Sequence, residues 1–574
     1  MMYNVPMYVD TVPNRNSKPT ILLREGWREG KRTPKRTLAN ISHWPGERIE
    51  ALRLLLKGKE MVPREGVYEI VRSLPHGHVE AVVGTIEKLG LDRLVASKRC
   101  RERDLVVAMI AERLLHPCSK LATTRLWHTT TLAEELGVAD AQVDELYEAL
   151  DWLLARQRRI ENKLARKHLK EGSVVLYDVS SSSYYGQRCP LAAYGNNRDG
   201  TGLRCIVYGL LADEGGRPVA VDVYRGNRSD PTTVPDQVEK LRRRFGLSRV
   251  VLVGDRGMLT EARIETLRSH PGLGWISALR TTAIRDLVEN RAIQLSLFDE
   301  RNLAEITTEQ YPGERLVACY NPLLAQDRRR TRQELLEETE KRLRKIAAEV
   351  ARRTRKPLTA DEIGIKVGKA LNRYKVGKHF KLTIADNLLK WERNEKNIQR
   401  EEQLDGIYVI RTSEPRESLS AQDTVRNYKR LTQVEQAFRC LKGLDLRVRP
   451  IHHRTEQHVR AHVFLCTLAY YVEWHMRKAL APLLFQDEEL DAARQTRDPV
   501  AKAEPSDSVK RKKATRLTED GLPIHSFTDL LTKLATRTRN TCRVNSEDCS
   551  LSFTQHTEPT PLQARAFELL GLKT

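Results

Sequence analysis

Hydrophobic and polar positions follow two different rhythms along the chain, and the change between them lies near residue 171. Before it, apolar residues recur at helical spacing, as in VEAVVGTIEKLGL and DLVVAMIAERLLH. After it come short apolar runs, among them SVVLYDVS, RVVLVGDRG, LGWISALR and the hairpin pattern LRCIVYGLLADEGGRPVAVDVYRGN. This order predicts a mainly helical N-terminal region followed by a mixed α/β sheet flanked by helices.

The same patterns, with shifts in composition, divide the chain into segments. The regular alternation stops over residues 282–423, which predicts an inserted mixed α/β subdomain with a charged, solvated or DNA-lining helix. The segment TVRNYKRLTQVEQAFRCLKG is predicted to be one amphipathic helix, and the polar, charge-dense residues 494–521 are predicted to be a flexible linker. The predicted segments are a basic N-terminal module (1–64), a helical DNA-binding region (65–170), the first part of the core (171–281), the insertion (282–423), the last part of the core (424–490), and a linker with a C-terminal segment (491–574).

Charge and cysteine content narrow the class of protein. Lys and Arg number 98 against 76 Asp and Glu, which gives a net charge of +22 spread over several patches. Such a surface favours a polyanion as partner, and nucleic acid is the default. No apolar run approaches the roughly 20 residues that span a bilayer, no signal peptide is recognisable, and the nine cysteines form no CxxC pair. We therefore expect a cytoplasmic protein without a membrane partner.

Two aspartates stand where strands normally exclude charge. Asp178 lies within the apolar strand SVVLYDVS, and Asp255 ends the strand RVVLVGDRG. Carboxylates on rigid strands can hold Mg²⁺, which prefers hard oxygen ligands, and two such ions can serve phosphoryl transfer. Taken singly, each aspartate could instead cap the turn or helix that follows it.

A third carboxylate follows the insertion. Tyr428, Glu435 and Lys442 are spaced seven residues apart, which places them on one face of a continuous helix. Glu435 could then face both aspartates, with Lys442 near the DNA backbone. The alternative is an ordinary solvated helix face.

Other residues suggest competing chemistry. Ser180–Ser183 could supply a nucleophile, but no base is apparent, and a flexible turn is the preferred interpretation. Tyr184 and Tyr185 could imitate a tyrosine recombinase, but the Arg and His cluster of that chemistry is not recognisable around them. Asp199 is the main competitor for a metal-site role, whereas Asp230 is expected to cap a helix. His458 and His462 could bind a metal as a pair, but no third ligand lies nearby in the sequence.

The order of strand Asp, second strand Asp in VGDRGM, long insertion and YKRLTQVEQAFRCLKGLDLRVRPIHH resembles bacterial insertion-sequence transposases of the DDE class. The resemblance runs from the basic N-terminal piece to about Met476. It implies a ribonuclease-H-like core interrupted before the final Glu. The family signature, Tyr-x2-Arg-x3-Glu-x6-Lys, matches at Tyr428, Glu435 and Lys442, but Leu431 stands at its Arg position. Arg430 and Arg439 are the candidates for that charge.

By this resemblance, Asp178, Asp255 and Glu435 are the catalytic and metal-binding residues. They would hold two Mg²⁺ ions, for which Mn²⁺ substitutes. Tyr428, Arg430, Arg439 and Lys442 are the expected DNA contacts.

The resemblance also implies a reaction: terminal inverted repeats are bound, transposon ends are cut, and the freed 3′-OH is joined to target DNA. It implies a homodimer in the synaptic complex and a bacterial, nucleoid-associated location. A nuclease without strand transfer and an inactive DNA-binding descendant remain as alternatives.

Overall fold

The computed structural model describes residues 7–15, 18–30, 32–59, 68–299, 301–501, 503–544 and 551–573. The chain divides into two units, residues 1–73 with 539–557 and residues 74–538 with 558–574. The boundary expected between residues 64 and 65 lies outside the described residues.

The smaller unit contains two three-stranded sheets and one helix. One sheet has the order β1 (Met7–Val12), β2 (Thr20–Gly26), β3 (Lys35–Asn40), and helix α1 (Gly46–Leu56) follows it. In the other, β15 (Thr538–Val544) lies between β4 (Tyr68–Pro75) and β16 (Ser552–His556). Residues near the C-terminus therefore share a unit with the N-terminal residues.

The larger unit begins with helices that pack on one another through their apolar faces. Helices α2, α4 and α7 contribute to one buried core with the long helix α16, whose central residues are almost all buried. The helices of this first stretch are α2 (Gly77–Leu89), α3 (Leu91–Val95), α4 (Arg101–Leu115), α5 (Lys120–Leu126), α6 (Leu132–Glu135) and α7 (Val143–His168), and α16 spans Glu456–Ala479.

An eight-stranded mixed sheet forms the centre of the larger unit. Its order is β10-β11-β14-β9-β8-β5-β6-β7, with β5, β8 and β9 parallel to one another and the other neighbours antiparallel. The strands are β5 (Val174–Ser183), β6 (Cys205–Asp213), β7 (Pro218–Arg225), β8 (Val250–Val253), β9 (Leu273–Ala278), β10 (Leu303–Ile306), β11 (Arg315–Tyr320) and β14 (Ile407–Thr412).

Three of these strands lie in the predicted insertion, so residues 282–423 are not separate from the sheet. β14 pairs with β9, and β11 and β10 extend the sheet beyond it. Only the middle of the segment forms a small unit with its own apolar core. That part consists of α11 (Pro322–Arg352), α12 (Ala360–Tyr374), the hairpin β12 (Phe380–Ala385) and β13 (Leu388–Arg393), and α13 (Glu395–Glu402).

The remaining helices lie between the sheet strands or follow the sheet. Residues 494–521, predicted to be a flexible linker, contain a helix, α18, on which Lys512 is buried, so that prediction is wrong. These helices are α8 (Val234–Glu239), α9 (Glu261–Arg268), α10 (Thr281–Glu289), α14 (Ala421–Lys429), α15 (Leu431–Lys442), α17 (Leu490–Thr496), α18 (Asp507–Thr515), α19 (Phe527–Ala535) and α20 (Pro561–Leu570). None of the helices described is long and apolar enough to cross a bilayer.

Candidate active site

The strand register brings the two aspartates together. Strands β5 and β8 are parallel neighbours in which Leu176 pairs with Val253. Asp178 follows Leu176 by two residues and Asp255 follows Val253 by two, so both carboxylates occur at the same level of the sheet. Side chains two apart on a strand share a face, so Asp178 shares the face of Leu176, while Asp255 lies two residues after the end of β8.

Burial and neighbouring charge control the Asp178 carboxyl. It accepts a hydrogen bond from the Val179 N–H at 2.7 Å. Burial raises the pKa of Asp178 to about 7, against the lowering effects of that hydrogen bond and of the Arg198 charge, and the charges of Asp255 and Glu435 raise it further. The Coulombic effect of both acids shows that all three carboxylates lie within one electrostatic neighbourhood.

Asp255 has two roles. Its Oδ1 accepts hydrogen bonds from the Gly257 and Met258 N–H groups, at 3.0 and 2.7 Å, so the capping alternative holds for this oxygen. Among the described residues, Oδ2 has no hydrogen-bond donor. The cap fixes the direction of the carboxylate and leaves its second oxygen for a ligand.

Glu435 comes from helix α15, which packs on β5 and has Val434, Phe438 and Leu441 among its buried residues. The Phe438 ring contacts Tyr208 of β6 at 5.8 Å between centroids. Because Glu435 follows Val434 directly, it is exposed at the edge of the packed face.

The segment predicted to be one helix is two. Arg430 separates α14 from α15, and its N–H is shared between the carbonyls of Arg426 and Asn427. Tyr428 therefore belongs to α14. Burial raises the pKa of the Tyr428 hydroxyl to about 12, and the charges of Asp255, Glu435 and Asp178 add to that rise. Because these charges act on it, the hydroxyl still lies near the acids.

The three acids are not neutralised by a direct ion pair in the described part of the chain, although the Arg198 charge acts on Asp178. Within the described residues, none of Asp178, Asp255 and Glu435 forms an ion pair, although the chain has a large excess of Lys and Arg. Three other side chains that could bind a metal, Cys440, Asp445 and Glu473, lie close together elsewhere in the described part of the chain. Their ligand atoms are all within 4.8 Å of one another. There, Arg477 already pairs with Glu473 at 2.6 Å and with Asp445 at 3.0 Å.

The four side chains predicted to contact DNA have different surroundings. Arg430 pairs with Glu214 at 2.7 Å, whereas Arg439 is exposed and has no partner among the described residues. Lys442 is mostly buried and donates to the Ser181 carbonyl and to Asp199.

Ser180–Ser183 do not form a turn, and that interpretation is wrong. They continue strand β5 and are buried. Ser183 N–H donates to Asp199 Oδ2 at 2.8 Å, and Asp199 also pairs with Arg449 at 2.7 Å, so Asp199 is held by cations of the protein.

The remaining candidates have partners within the chain. His462 Nε2 bonds to the Val448 carbonyl at 2.9 Å, and His458 lies 3.3 Å from Asp151. Asp230 begins a short 3₁₀ turn and pairs with Arg198, a residue that the sequence patterns did not single out.

Comparison with known protein families assigns the segment that carries these acids to a family. The family model described as "Transposase DDE domain" matches residues 170–472, just over half of the chain, and spans all three acids. The chain belongs to the DDE transposase family. Membership implies a transposase or nuclease activity, which agrees with the expectation from the sequence.

Two further comparisons add little to this family assignment. The cryo-EM structure of a piggyBac transposase synaptic complex with hairpin DNA is 11% identical over 70% of this chain and 73% of that chain, with a TM-score of 0.31. Comparison with curated proteins gives no match.

Proposed function

We propose that this DDE transposase cuts DNA ends and joins the freed 3′-OH to target DNA at Asp178, Asp255 and Glu435. One observation carries the proposal: acids from two parallel strands and one helix lie within Coulombic reach of one another, and none of them forms an ion pair with a described Lys or Arg. A buried carboxylate without a partner is costly, so a bound cation would offset the burial.

The donor set fits Mg²⁺, with Mn²⁺ as a substitute, because all the ligands are hard carboxylate oxygens. The three acids are not all within 4.8 Å of one another. Asp178, Asp255 and Glu435 would hold two such ions between them, as phosphoryl transfer at paired metal ions requires. When bound, such ions would activate the attacking oxygen and neutralise the charge that develops on the phosphate.

The residues of the chain then have separate tasks. The pairing of the adjacent strands β5 and β8 fixes the distance between Asp178 and Asp255. Glu435, on helix α15, supplies the third carboxylate. The Tyr428 hydroxyl stays protonated at neutral pH, since its pKa is about 12, and can donate a hydrogen bond to a phosphate oxygen. Arg439 is the exposed candidate for a contact with the DNA backbone. Lys442 donates a hydrogen bond to the Ser181 carbonyl of β5.

We further propose that β5–β9 with α15 form a ribonuclease-H-like core of the insertion-sequence type. The basic N-terminal module (1–64) and the helical region (65–170) would bind terminal inverted repeats, and a homodimer would hold two ends. The excess of 98 basic over 76 acidic residues supports a DNA partner, whose binding should weaken steeply with salt.

The test supplies labelled transposon-end DNA, a target plasmid and Mg²⁺ to the full chain. Joined product supports the proposal, nicking without joining supports a nuclease, and binding alone supports an inactive descendant. Asp178→Asn, Asp255→Asn and Glu435→Gln should each abolish cleavage but leave DNA binding. Asp236→Asn, an exposed acid on α8 that pairs with Arg228, is the control and should cleave. Cleavage by Asp178→Asn would refute the assigned site.

A further inference from the structure

Two loops that each contain a Gly-Asn pair lie against one another beside the acids. We call residues 194–202 the first loop and residues 226–230 the second loop. A Cβ added to Gly195 would lie 2.0 Å from the Gly226 carbonyl oxygen, so no side chain fits between the two backbones. The Gly226 N–H also donates to the Leu191 carbonyl at 2.8 Å. The glycines thus allow the close approach that joins the loops.

The first loop is fastened to β5, the strand of Asp178. Ser181 Oγ accepts the Arg198 N–H at 2.9 Å and donates to the Asn196 carbonyl at 2.7 Å. Asp199 accepts the Ser183 N–H at 2.8 Å. Lys442 of α15 holds the same Asp199, so the strand of the first acid and the helix of the third acid both fix this loop.

This fastening places the Arg198 side chain next to the acids. Its Nη2 bonds to Asp230 Oδ2 of the second loop at 2.6 Å. Burial is the main cause of the raised pKa of both Asp178 and Asp230; the Arg198 charge opposes the rise at Asp178, and the Asp255 charge adds to the rise at Asp230. The Arg198–Asp230 pair therefore lies within Coulombic reach of both strand aspartates.

We propose that Arg198 binds a phosphate of the DNA strand that is cut, and that Asp230 is the positioning residue that orients its guanidinium. The inference rests on the proposed function and extends it to a residue outside the family signature. In the described part of the chain, Asp230 is the one hydrogen-bond partner of the guanidinium, which has five N–H donors. The side chain is 31% exposed, so its remaining donors can reach a ligand.

The chemistry favours a phosphate over Asp178 as the ligand of these donors. No ion pair joins Arg198 to Asp178, and cations bound by the acids would repel the guanidinium from them. A planar guanidinium matches two oxygens of one phosphate and would sit at the edge of the metal site.

The experiment compares the full-length chain with Arg198→Ala, Asp230→Asn and the double variant. Arg228→Ala is the matched control, because Arg228 lies on the second loop and pairs with Asp236 instead. End DNA is bound in Ca²⁺, and single-turnover cleavage is measured in Mg²⁺. Arg198→Ala should lower cleavage roughly 10- to 100-fold, as expected for a lost hydrogen bond to a charged group, while Arg228→Ala changes it less than twofold.

A set of DNA substrates, each with one neutral methylphosphonate near the cut, separates a phosphate contact from a folding defect. At one position the wild type should lose affinity while Arg198→Ala loses nothing further. If Arg198→Ala is as sensitive as the wild type at every position, or cleaves at the wild-type rate, the phosphate contact is refuted.

Asp230 is tested by non-additivity. Asp230→Asn should slow cleavage when Arg198 is present and have no effect in Arg198→Ala. An equal loss in both backgrounds would overturn the positioning role. If the wild type itself does not cut, the proposed function fails, but the binding measurements with methylphosphonates still decide the role of Arg198.

Discussion

The cost of burying the Asp178 carboxylate predicts that Asp178→Asn stabilises the metal-free protein while abolishing activity. Asparagine has nearly the same volume and keeps the oxygen that accepts the Val179 N–H. Burial raises the pKa of Asp178 from 3.8 to about 7. That change corresponds to a destabilisation of about 4 kcal/mol once the group is ionised in both the folded and the unfolded state.

The pH dependence has a definite sign. Well below pH 3.8 the carboxyl is protonated in both states and costs nothing. As pH rises toward 7, the unfolded state loses its proton first, so the wild type becomes less stable relative to the variant. The advantage of Asp178→Asn should grow from about 2 kcal/mol at pH 5 to about 4 kcal/mol at pH 8.

Urea unfolding in EDTA at both pH values, followed by circular dichroism, measures this difference. Mg²⁺ should then stabilise the wild type but not Asp178→Asn. Asp222→Asn is the control of opposite sign, because Asp222 pairs with the buried Lys240 and its loss should destabilise. Equal stability of Asp178→Asn and wild type at pH 8, or an advantage that does not change with pH, would refute an unbalanced buried carboxylate.

Three further substitutions test the surroundings of the site and a distant helix by urea unfolding. Gly226→Ala should lower the stability by about 3 kcal/mol, because its Cβ would lie 1.9 Å from the Cys205 carbonyl oxygen; an unchanged midpoint would contradict the close approach. Gly364→Ala, in α12 with nothing within 4 Å of the new Cβ, should raise the stability by about 1 kcal/mol, and a loss would show hidden crowding. Lys442→Ala should lower the stability by about 2 kcal/mol without DNA, because it removes one cation from the buried Asp199; no change would mean that Lys442 acts only on DNA.

Much of the site could be predicted from the sequence because charged residues in apolar strands are rare. Asp178 and Asp255 stood out by that contrast, and the heptad spacing pointed to Glu435. The same spacing predicted one continuous helix, but the chain turns at Arg430. The serine run looked like a turn by composition, yet it continues strand β5, because its residues pair with β6 and Ser181 and Ser183 bond to Asn196 and Asp199 of the first loop.

Local patterns therefore determined which elements form and which acids they carry, since the periodicity of apolar residues reflects the face that each element buries. Only the tertiary structure decided which elements meet. The register of β5 with β8 aligns the two aspartates, strands from the predicted insertion extend the sheet, and residues 539–557 join the N-terminal unit. The pairing of Arg198 with Asp230 has no sequence signal, because it depends on two glycines that let separate loops touch. Contacts between distant segments depend on how whole faces pack, and no local window of sequence contains that information.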